Sequence, residues 1–268
     1  MNALKLMAIV AHPDDESLGF GGTLAAYAAE GVETYLVTAT RGERGWTGDP
    51  RECPGLAALG AIREAELRAA ATVLGVRSVA LLDYVDGDLN QAPPDEVVGK
   101  LVTQLRRVRP QVVLTFDPFG AYGHPDHIAI SQFTAAAIVA AADPSSPHAR
   151  GLAPHAVAKL YYMATSARRA EAYQAAFGEL VMNVGGVERR MHNWPDWAIT
   201  TRIDTAASWQ TVWHAVLCHQ SQLPNYAVLE HLPEQDHIRL WGLQEFYRVV
   251  SQVHVGSDPE VDVFAGLR

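Results

Sequence analysis

The feature that most constrains this chain is the regular alternation of short apolar runs and helix-length segments across its first 142 residues. Apolar runs of this length are typical of strands buried on both faces, whereas apolar residues at helical spacing indicate helices. The predicted strands are Leu4–Ala11, Val32–Thr40, Ser78–Leu82 and Gln111–Phe116, and the predicted helices are Gly22–Glu30, Ala57–Leu74, Asp95–Arg107 and Pro125–Ala142. Parallel strands joined by right-handed crossovers follow from this alternation. The sequence therefore predicts an α/β fold with a Rossmann-like, doubly wound, mainly parallel sheet and helices on both faces.

The connections of such a fold place the first strand beside the fourth, in the strand order 3-2-1-4. The chain reverses direction between these two strands, and ligands bind in the crevice outside their carboxyl ends. The residues that follow Ala11 and Phe116 are therefore predicted to form the functional site.

The second half of the chain is less regular. Its predicted elements are the strands Ala158–Met163 and Trp197–Ile203, a strand-like run within Leu240–Val250, and the helices Ala167–Phe177 and Thr205–Ser221. A length of 268 residues fits one large domain. We expect a single domain over 1–268, in which 1–142 form the core and 143–268 complete it and rim the site.

Charge and the N-terminal pattern exclude several classes of function. With 21 basic and 30 acidic residues the formal net charge is −9, which opposes binding to nucleic acid or to an anionic membrane. The first apolar run is too short for a membrane-spanning helix, which needs about 20 apolar residues. Because His12 and three acidic residues follow it at once, it does not resemble a signal peptide, and a cytoplasmic protein is expected.

Two short motifs concentrate the chemistry. His12-Pro13-Asp14-Asp15-Glu16 follows the first strand, and Tyr122-Gly123-His124-Pro125-Asp126-His127 follows the fourth. A cation would offset the repulsion among the carboxylates that meet there. Such a set suits a tetrahedral zinc site with one open position, and two histidines with one carboxylate equally suit iron(II). The adjacent Asp14 and Asp15 should point apart, so that one binds the metal and the other addresses water. The alternative is that Asp14 or Asp126 simply caps a helix.

A glycine-rich stretch, Gly19-Phe20-Gly21-Gly22, lies beside the first motif. A dinucleotide-binding loop would need glycine where Leu24 stands, and the neighbouring acidic residues would repel pyrophosphate. We therefore predict a tight turn and close helix packing for these glycines.

The two histidine motifs together resemble the LmbE-like, or PIG-L type, N-acetylglucosaminyl deacetylases. Weaker resemblance comes from Thr40-Arg41-Gly42-Glu43, Arg63-Glu64-Ala65-Glu66 and Cys218-His219-Gln220-Ser221-Gln222. The resemblance implies one zinc per chain, with other divalent metals such as Fe²⁺ as alternatives, a small N-acylated sugar as substrate, and a homo-oligomer. It also implies zinc ligation by His12, Asp15 and His127, with Asp14 as the general base.

Other roles implied by the resemblance concern the second motif. His124 would stabilise the tetrahedral intermediate or protonate the leaving group, Tyr122 would polarise the amide carbonyl, and Asp126 would tune His124. For substrate contacts we single out Arg63, Arg41, Trp46 and His219, although each is also compatible with an ordinary packing or ion-pairing role.

The leading hypothesis is a zinc-dependent amide hydrolase that removes acetyl from an N-acetylglucosaminyl compound. Within hydrolases, the alternatives are a thiol-conjugate amidase and a deacylase of a non-sugar amine. Outside this class, a non-catalytic metal-binding module would leave Asp14 unexplained. An iron(II) oxygenase would use similar ligands but usually on a β-rich scaffold.

Overall fold

The computed structural model describes residues 3–149, 151–178, 181–184, 186–254, 256 and 258–268. The elements from the first half are β1 (Lys5–Val10), α1 (Asp15–Ala29), β2 (Glu33–Thr40), α2 (Leu56–Val73), β3 (Ser78–Tyr84), α3 (Pro94–Val108), β4 (Val112–Thr115), the one-turn α4 (Gly120–Gly123) and α5 (Pro125–Ala142). The elements from the second half are β5 (Lys159–Ala164), α6 (Ala167–Phe177), β6 (Val181–Val184), β7 (Val187–Arg190), β8 (Thr201–Asp204), α7 (Trp209–Cys218), α8 (Leu223–Tyr226), α9 (Glu234–Trp241) and β9 (Leu243–Ser251).

Within the described residues, seven strands form one sheet in the order β3-β2-β1-β4-β5-β9-β8, and β6 pairs with β7 in a separate hairpin. The pairs from β3 through β5 are parallel, whereas β9 is antiparallel to both β5 and β8. The predicted order 3-2-1-4 and the mainly parallel sheet are therefore confirmed. Because the chain moves outward from β1 to β3 and then back across to β4, right-handed crossovers place α1 and α3 on opposite faces.

Strand β1 lies at the centre of the core. Its residues from Leu6 to Val10 are fully or almost fully buried, since helices cover both faces of the sheet. This double burial explains why the strand is a continuous apolar run without alternation. It also fixes the position of the polar residues that follow, because they leave the sheet at its carboxyl edge.

The glycine-rich stretch differs from the prediction. Helix α1 begins at Asp15, not at Gly22, so all three glycines lie inside the helix and the expected tight turn is wrong. The expected close packing is confirmed, because a Cβ built on Gly22 would lie 2.9 Å from Cβ of Thr205 and 3.1 Å from the carbonyl oxygen of Trp241.

The predicted strand Trp197–Ile203 also differs. Residues Asp196–Ala198 form a 3-10 helix and β8 starts only at Thr201, which leaves the Trp197 side chain 86% exposed. The predicted helix Thr205–Ser221 is shorter than expected, since α7 is flanked by 3-10 turns at Ala206–Ser208 and Gln220–Gln222. Among the described helices, none combines the length and the apolar character needed to cross a membrane.

Candidate metal centre and active site

The turn after β1 is held by the side chain of Asp15. Its Oδ2 accepts hydrogen bonds from the backbone N–H groups of Ala11 (3.1 Å) and His12 (2.7 Å). Asp14 has a φ of 104°, in the left-handed region that side chains other than glycine rarely adopt. The backbone N–H of Asp14 donates to Oε2 of Glu16 at 3.0 Å, which holds this strained residue.

Donor atoms of three residues converge beside this turn. Nδ1 of His12 lies 3.2 Å from Nε2 of His127 and 3.7 Å from Oδ2 of Asp15, and Nε2 of His127 lies 3.4 Å from Oδ1 of Asp15. In a tetrahedral zinc site with bonds of about 2.0–2.1 Å, neighbouring ligand atoms are about 3.3 Å apart. The three donors therefore fit a small divalent cation. His124 offers another ring nitrogen within 4.8 Å of those of His12 and His127.

The second nitrogen of His12 is held by two carboxylates. Its Nε2 lies 3.1 Å from Oδ2 of Asp126 and 3.1 Å from Oδ1 of Asp86. Burial lowers the pKa of His12, but these two contacts outweigh it and raise the pKa to about 10. Burial raises the pKa of Asp86, but its contact with His12, together with the nearby Arg63, outweighs this and holds the pKa at about 2. A cation that binds at Nδ1 would replace the extra proton, because metal ligation requires neutral imidazole.

The carboxylate of Asp126 faces His12. It also accepts hydrogen bonds from the N–H groups of Gly87 (2.7 Å) and Leu89 (3.1 Å). The link of Asp126 to His124 runs through the backbone, where N–H of Asp126 donates to Nδ1 of His124 at 3.1 Å. Carboxylates that orient a metal-ligating histidine in this way are typical of metal sites. The side chain of Asp126 thus orients His12. It makes no hydrogen bond to the ring of His124 within the described residues, but its negative charge favours a higher pKa of His124, against the effects of burial and of His12 and His127.

Asp14 has one occupied and one open carboxylate oxygen. Its Oδ2 accepts from Nη2 of Arg63 (3.1 Å) and from Oη of Tyr226 (3.0 Å). No hydrogen bond to Oδ1 is formed by the described residues. Burial raises the pKa of Asp14 above its usual value, although Arg63 opposes this. A carboxylate with a raised pKa and a free oxygen can accept a proton from water.

The second motif supplies two further polar groups. Burial and the neighbouring His12 and His127 lower the pKa of His124 to about 4. Since Nδ1 of His124 accepts a backbone hydrogen bond, its neutral ring carries the proton on Nε2. The hydroxyl of Tyr122 makes no hydrogen bond within the described part of the chain, and burial raises its pKa well above the ordinary value. Both side chains can therefore donate to a ligand.

These groups, apart from Glu16 and Asp126, line a cavity of about 700 Å³, which is within the usual size range of small-molecule sites. The lining from the first half is His12, Asp14, Asp15, Leu18, Gly19, Gly45, Arg63, Asp86, Phe116, Ala121, Tyr122, His124 and His127. The lining from the second half is Met163, Thr165, Arg169, Tyr173, Phe177, Val181, Asn183, Met191, Gln222, Asn225 and Tyr226. The site thus combines a histidine and carboxylate centre with a more apolar region.

The structure brings only one of the predicted substrate contacts to the cavity. Arg63 lines it, but its guanidinium is engaged by Asp14 and by the carbonyl oxygens of Pro13 and Gly42. Arg41 instead pairs with Glu64 and Asp83. Nε1 of Trp46 donates to the carbonyl oxygen of Asp49 at 2.9 Å within its own loop.

His219 does not line the cavity either. Its side chain is fully buried, and its Nε2 contacts Glu16. A direct substrate contact by Arg41, Trp46 or His219 is therefore not supported by this geometry.

The sequence analysis did not predict that Asp86 and Tyr226 belong to the site. It also did not predict that Glu16 supports the turn at Asp14. A signal for Asp86 existed, because Asp86-Gly87-Asp88 follows β3 at the same edge of the sheet as the two motifs. Tyr226 lies 212 positions from Asp14 in an irregular segment, and no local pattern indicates their contact.

The sequence of this chain is similar to those of known proteins. A family model described as GlcNAc-PI de-N-acetylase (PIG-L) matches residues 7–138. The 1D-myo-inositol 2-acetamido-2-deoxy-alpha-D-glucopyranoside deacetylase of Thermobifida fusca is 37% identical over 248 residues, which cover 83% of this chain and 85% of that protein. The mycothiol S-conjugate amidase of Streptomyces coelicolor is 32% identical over 297 residues, which cover 99% of this chain and 98% of that protein.

Solved structures show the same fold. The conserved protein TT1542 of Thermus thermophilus has a TM-score of 0.65 and 28% identity, with 97% of this chain and 100% of that chain covered. The N,N'-diacetylchitobiose deacetylase of Pyrococcus horikoshii has a TM-score of 0.69 and 23% identity, with coverage of 92% and 84%. On the strength of the sequence matches, this chain belongs to the PIG-L family of de-N-acetylases.

Proposed function

We propose that this chain is a zinc-dependent hydrolase that removes the acetyl group from an N-acetylglucosaminyl small molecule. The observation that carries the proposal is the triangle of donor atoms from His12, Asp15 and His127, with Asp14 next to it on the same cavity. The relatives named as deacetylases of an inositol glycoside support the sugar part of the substrate. The sheet takes strands from both 1–142 and 143–268, which supports a single catalytic domain.

His12, Asp15 and His127 would hold the metal, and Asp86 and Asp126 would orient His12. When bound, a divalent cation supplies Lewis acidity, which makes water more acidic and polarises a carbonyl group. The mixed nitrogen and oxygen donors of this site suit zinc, and they also suit iron(II).

Asp14 acts as the general base. Arg63 and Tyr226 hold its Oδ2, so Oδ1 is left to take a proton from the attacking water. As the oxygen of water bonds to the amide carbon, negative charge develops on the carbonyl oxygen. Removal of a general base typically costs about 10²–10⁴ in rate.

His124 and Tyr122 assist at the carbonyl and the leaving group. The Nε2–H of His124 and the hydroxyl of Tyr122 are donors available to the oxyanion, and one such donor is worth about 10²–10³ in rate. When the carbon–nitrogen bond breaks, the amine leaves with a proton from Asp14 or from His124. The products are acetate and the free amine.

Cleavage of a thiol-conjugate amide is a second candidate. The Streptomyces coelicolor amidase matches this chain over nearly its whole length, and the cavity has room for more than a monosaccharide. Both reactions use the same hydrolytic groups, so the substrate alone distinguishes them.

Acetate release from a panel of N-acetylated sugars tests the proposal. The panel contains N-acetylglucosamine, N,N'-diacetylchitobiose, the inositol glycoside of N-acetylglucosamine and a mycothiol S-conjugate, each assayed with and without a chelator. Acetate release that the chelator abolishes and added zinc restores is the expected result. Amide cleavage of a thiol conjugate without acetate release from any sugar would favour the amidase, and no hydrolysis by metal-loaded protein would contradict both reactions.

A further inference from the structure

One arginine of the cavity has no counter-charge among the described residues. Arg169 lies in the first turn of α6, and its side chain lines the cavity although the residue is only 7% exposed. Its backbone N–H donates to Oγ of Ser166 at 3.3 Å, which fixes the start of the helix. The guanidinium is therefore held at the site by a regular element.

The polar atoms of this guanidinium are almost unused. Nε and Nη1 of Arg169 are buried and make no hydrogen bond within the described residues. Nη2 has one long contact, 3.5 Å, with Oη of Tyr173, and Cζ lies 5.7 Å from the centre of that ring. No carboxylate forms an ion pair with Arg169 in the part of the chain that the structure describes. An unpaired buried charge is costly, so a partner from outside the chain would stabilise it.

Other buried arginines of the chain are compensated. Arg63 pairs with Asp14 and donates to two carbonyl oxygens, although it lines the same cavity. Arg106, which lies away from the site, donates to the carbonyl oxygens of Ala141, Leu152 and Asp143. The contrast shows that the pair of open donors is particular to Arg169 and is not a general property of the buried arginines in the described residues.

We propose that Arg169 forms an anion subsite that binds a carboxylate or phosphate group of the substrate, away from its acetamido group. The planar guanidinium can donate two parallel hydrogen bonds to either anion. The cavity lining also includes apolar residues such as Leu18 and Phe177, which lower the dielectric constant of the cavity and strengthen this interaction. That the anion is part of the substrate rests on the proposed deacetylase function. The existence of an anion-binding site at Arg169 does not depend on that function.

Binding of amines that already lack the acetyl group tests the subsite independently of turnover. The probes are the 2-carboxyethyl glycoside of glucosamine with its methyl ester, and glucosamine 1-phosphate with neutral methyl glucosaminide. Calorimetry on the metal-loaded protein gives the affinity ratio of each anion to its neutral partner. The two pairs distinguish a carboxylate from a phosphate.

The wild-type protein is expected to bind at least one anion about tenfold or more tightly than its neutral partner, the range for hydrogen bonds to charged groups. In Arg169→Gln this ratio falls to below about threefold, and Arg169→Lys retains part of it because the charge remains. Arg168→Gln removes the neighbouring, exposed arginine of the same helix and keeps the full ratio.

Two results would overturn the subsite. One is equal affinity of the wild-type protein for both members of each pair, which decides the matter even if Arg169→Gln fails to fold. The other is an anion preference that survives in folded Arg169→Gln, because the anion would then bind elsewhere, for example at the metal. Acetate release from the acetylated forms of the same probes is measured separately, so loss of the deacetylase proposal and loss of the subsite are distinguished.

Discussion

Oε1 of Glu16 lies 2.7 Å from Nε2 of His219, a residue 203 positions later in the chain, and both side chains are fully buried. The second oxygen of Glu16 accepts the backbone N–H of Asp14, which stands in the left-handed region. Oγ of Ser17 donates to Oε1 of Glu16 at 2.6 Å. The pair therefore ties the end of α7 to the turn that presents Asp14.

Glu16→Ala is expected to lower kcat more than it changes KM, because Asp14 loses its backbone support while the cavity lining is retained. The free energy of unfolding should fall by about 3–5 kcal/mol, since a buried histidine is left without its partner. Steady-state kinetics and urea denaturation measure the two effects. Glu16→Gln keeps an oxygen acceptor for Asp14 and should recover part of kcat; an unchanged kcat in Glu16→Ala would contradict the supporting role.

Asp14→Asn is expected to retain the metal but to lose about 10²–10⁴ of the turnover rate, because the amide cannot take a proton from water. Arg63 and Tyr226 can still donate to the remaining oxygen, so the local structure should persist. Acetate release and elemental analysis of the metal content check this. Turnover near the wild-type rate would rule out Asp14 as the base.

Asp15→Ala is expected to lose the metal, since the variant removes one of three donors and also the acceptor of two backbone hydrogen bonds. Metal content after dialysis, with circular dichroism to verify folding, gives the result. Glu230→Ala, which removes an exposed carboxylate, serves as the control and should bind metal like the wild type. Full zinc occupancy in folded Asp15→Ala would show that the ligand set is different.

Glu260 is expected to make stability depend on pH in the acid range. Burial raises the pKa of this carboxyl, but hydrogen bonds from Lys159, Tyr161 and Arg248 outweigh it and bring the pKa below its ordinary value of 4.5. A carboxyl with a lowered pKa stabilises the fold above 4.5, and this contribution is lost as the pH falls through the folded-state pKa.

The difference in unfolding free energy between the wild type and Glu260→Gln should therefore be largest near pH 7 and should shrink below about pH 4.5. Urea denaturation at several pH values measures it. Glu52→Gln, at an exposed position, should show little difference at any pH. A difference for Glu260→Gln that stays constant down to about pH 3 would contradict this account.

Gly22→Ala is expected to lower the free energy of unfolding by about 1–3 kcal/mol, because its Cβ would meet Thr205 and the backbone of Trp241. Gly19→Ala is the matched variant in the same helix. Its Cβ would meet only Sδ of Met163, the mobile part of a flexible side chain, at 3.1 Å. Thermal denaturation should show the larger loss for Gly22→Ala, and equal losses would indicate that α1 is not closely packed at Gly22.

The strands and helices that could be predicted are those in which burial produces a simple pattern of apolar residues along the sequence. Strands β1 and β4 are buried on both faces, so they are unbroken apolar runs, and the doubly wound topology then places His12 near His127. By contrast, the predicted start of α1 was wrong because its first turns are polar and glycine-rich, although they are helical. Propensity alone misplaces a helix whose packing requires glycine.

Contacts that join distant segments could not be predicted. Nothing near Glu16 indicates His219, and nothing near Asp14 indicates Tyr226, because such pairs depend on how the second half packs on the first. The pairing of Asp126 with His12 also depends on the backbone N–H groups at Gly87 and Leu89. The residue types were enough to predict a metal centre. Which carboxylate orients which histidine is determined only by the folded structure.

The histidines and carboxylates that line the cavity come from residues 12–127, whereas Arg169, Tyr173 and the residues of β6 come from a separate stretch. Under the proposed function, the groups that cleave the bond come mainly from the first half of the chain, whereas the residues that would contact the rest of the substrate come largely from the second half. Substitutions within residues 163–191 would then change the range of substrates and leave the metal centre in place. One scaffold can in this way give rise to a set of amide hydrolases that recognise different substrates and share one hydrolytic mechanism.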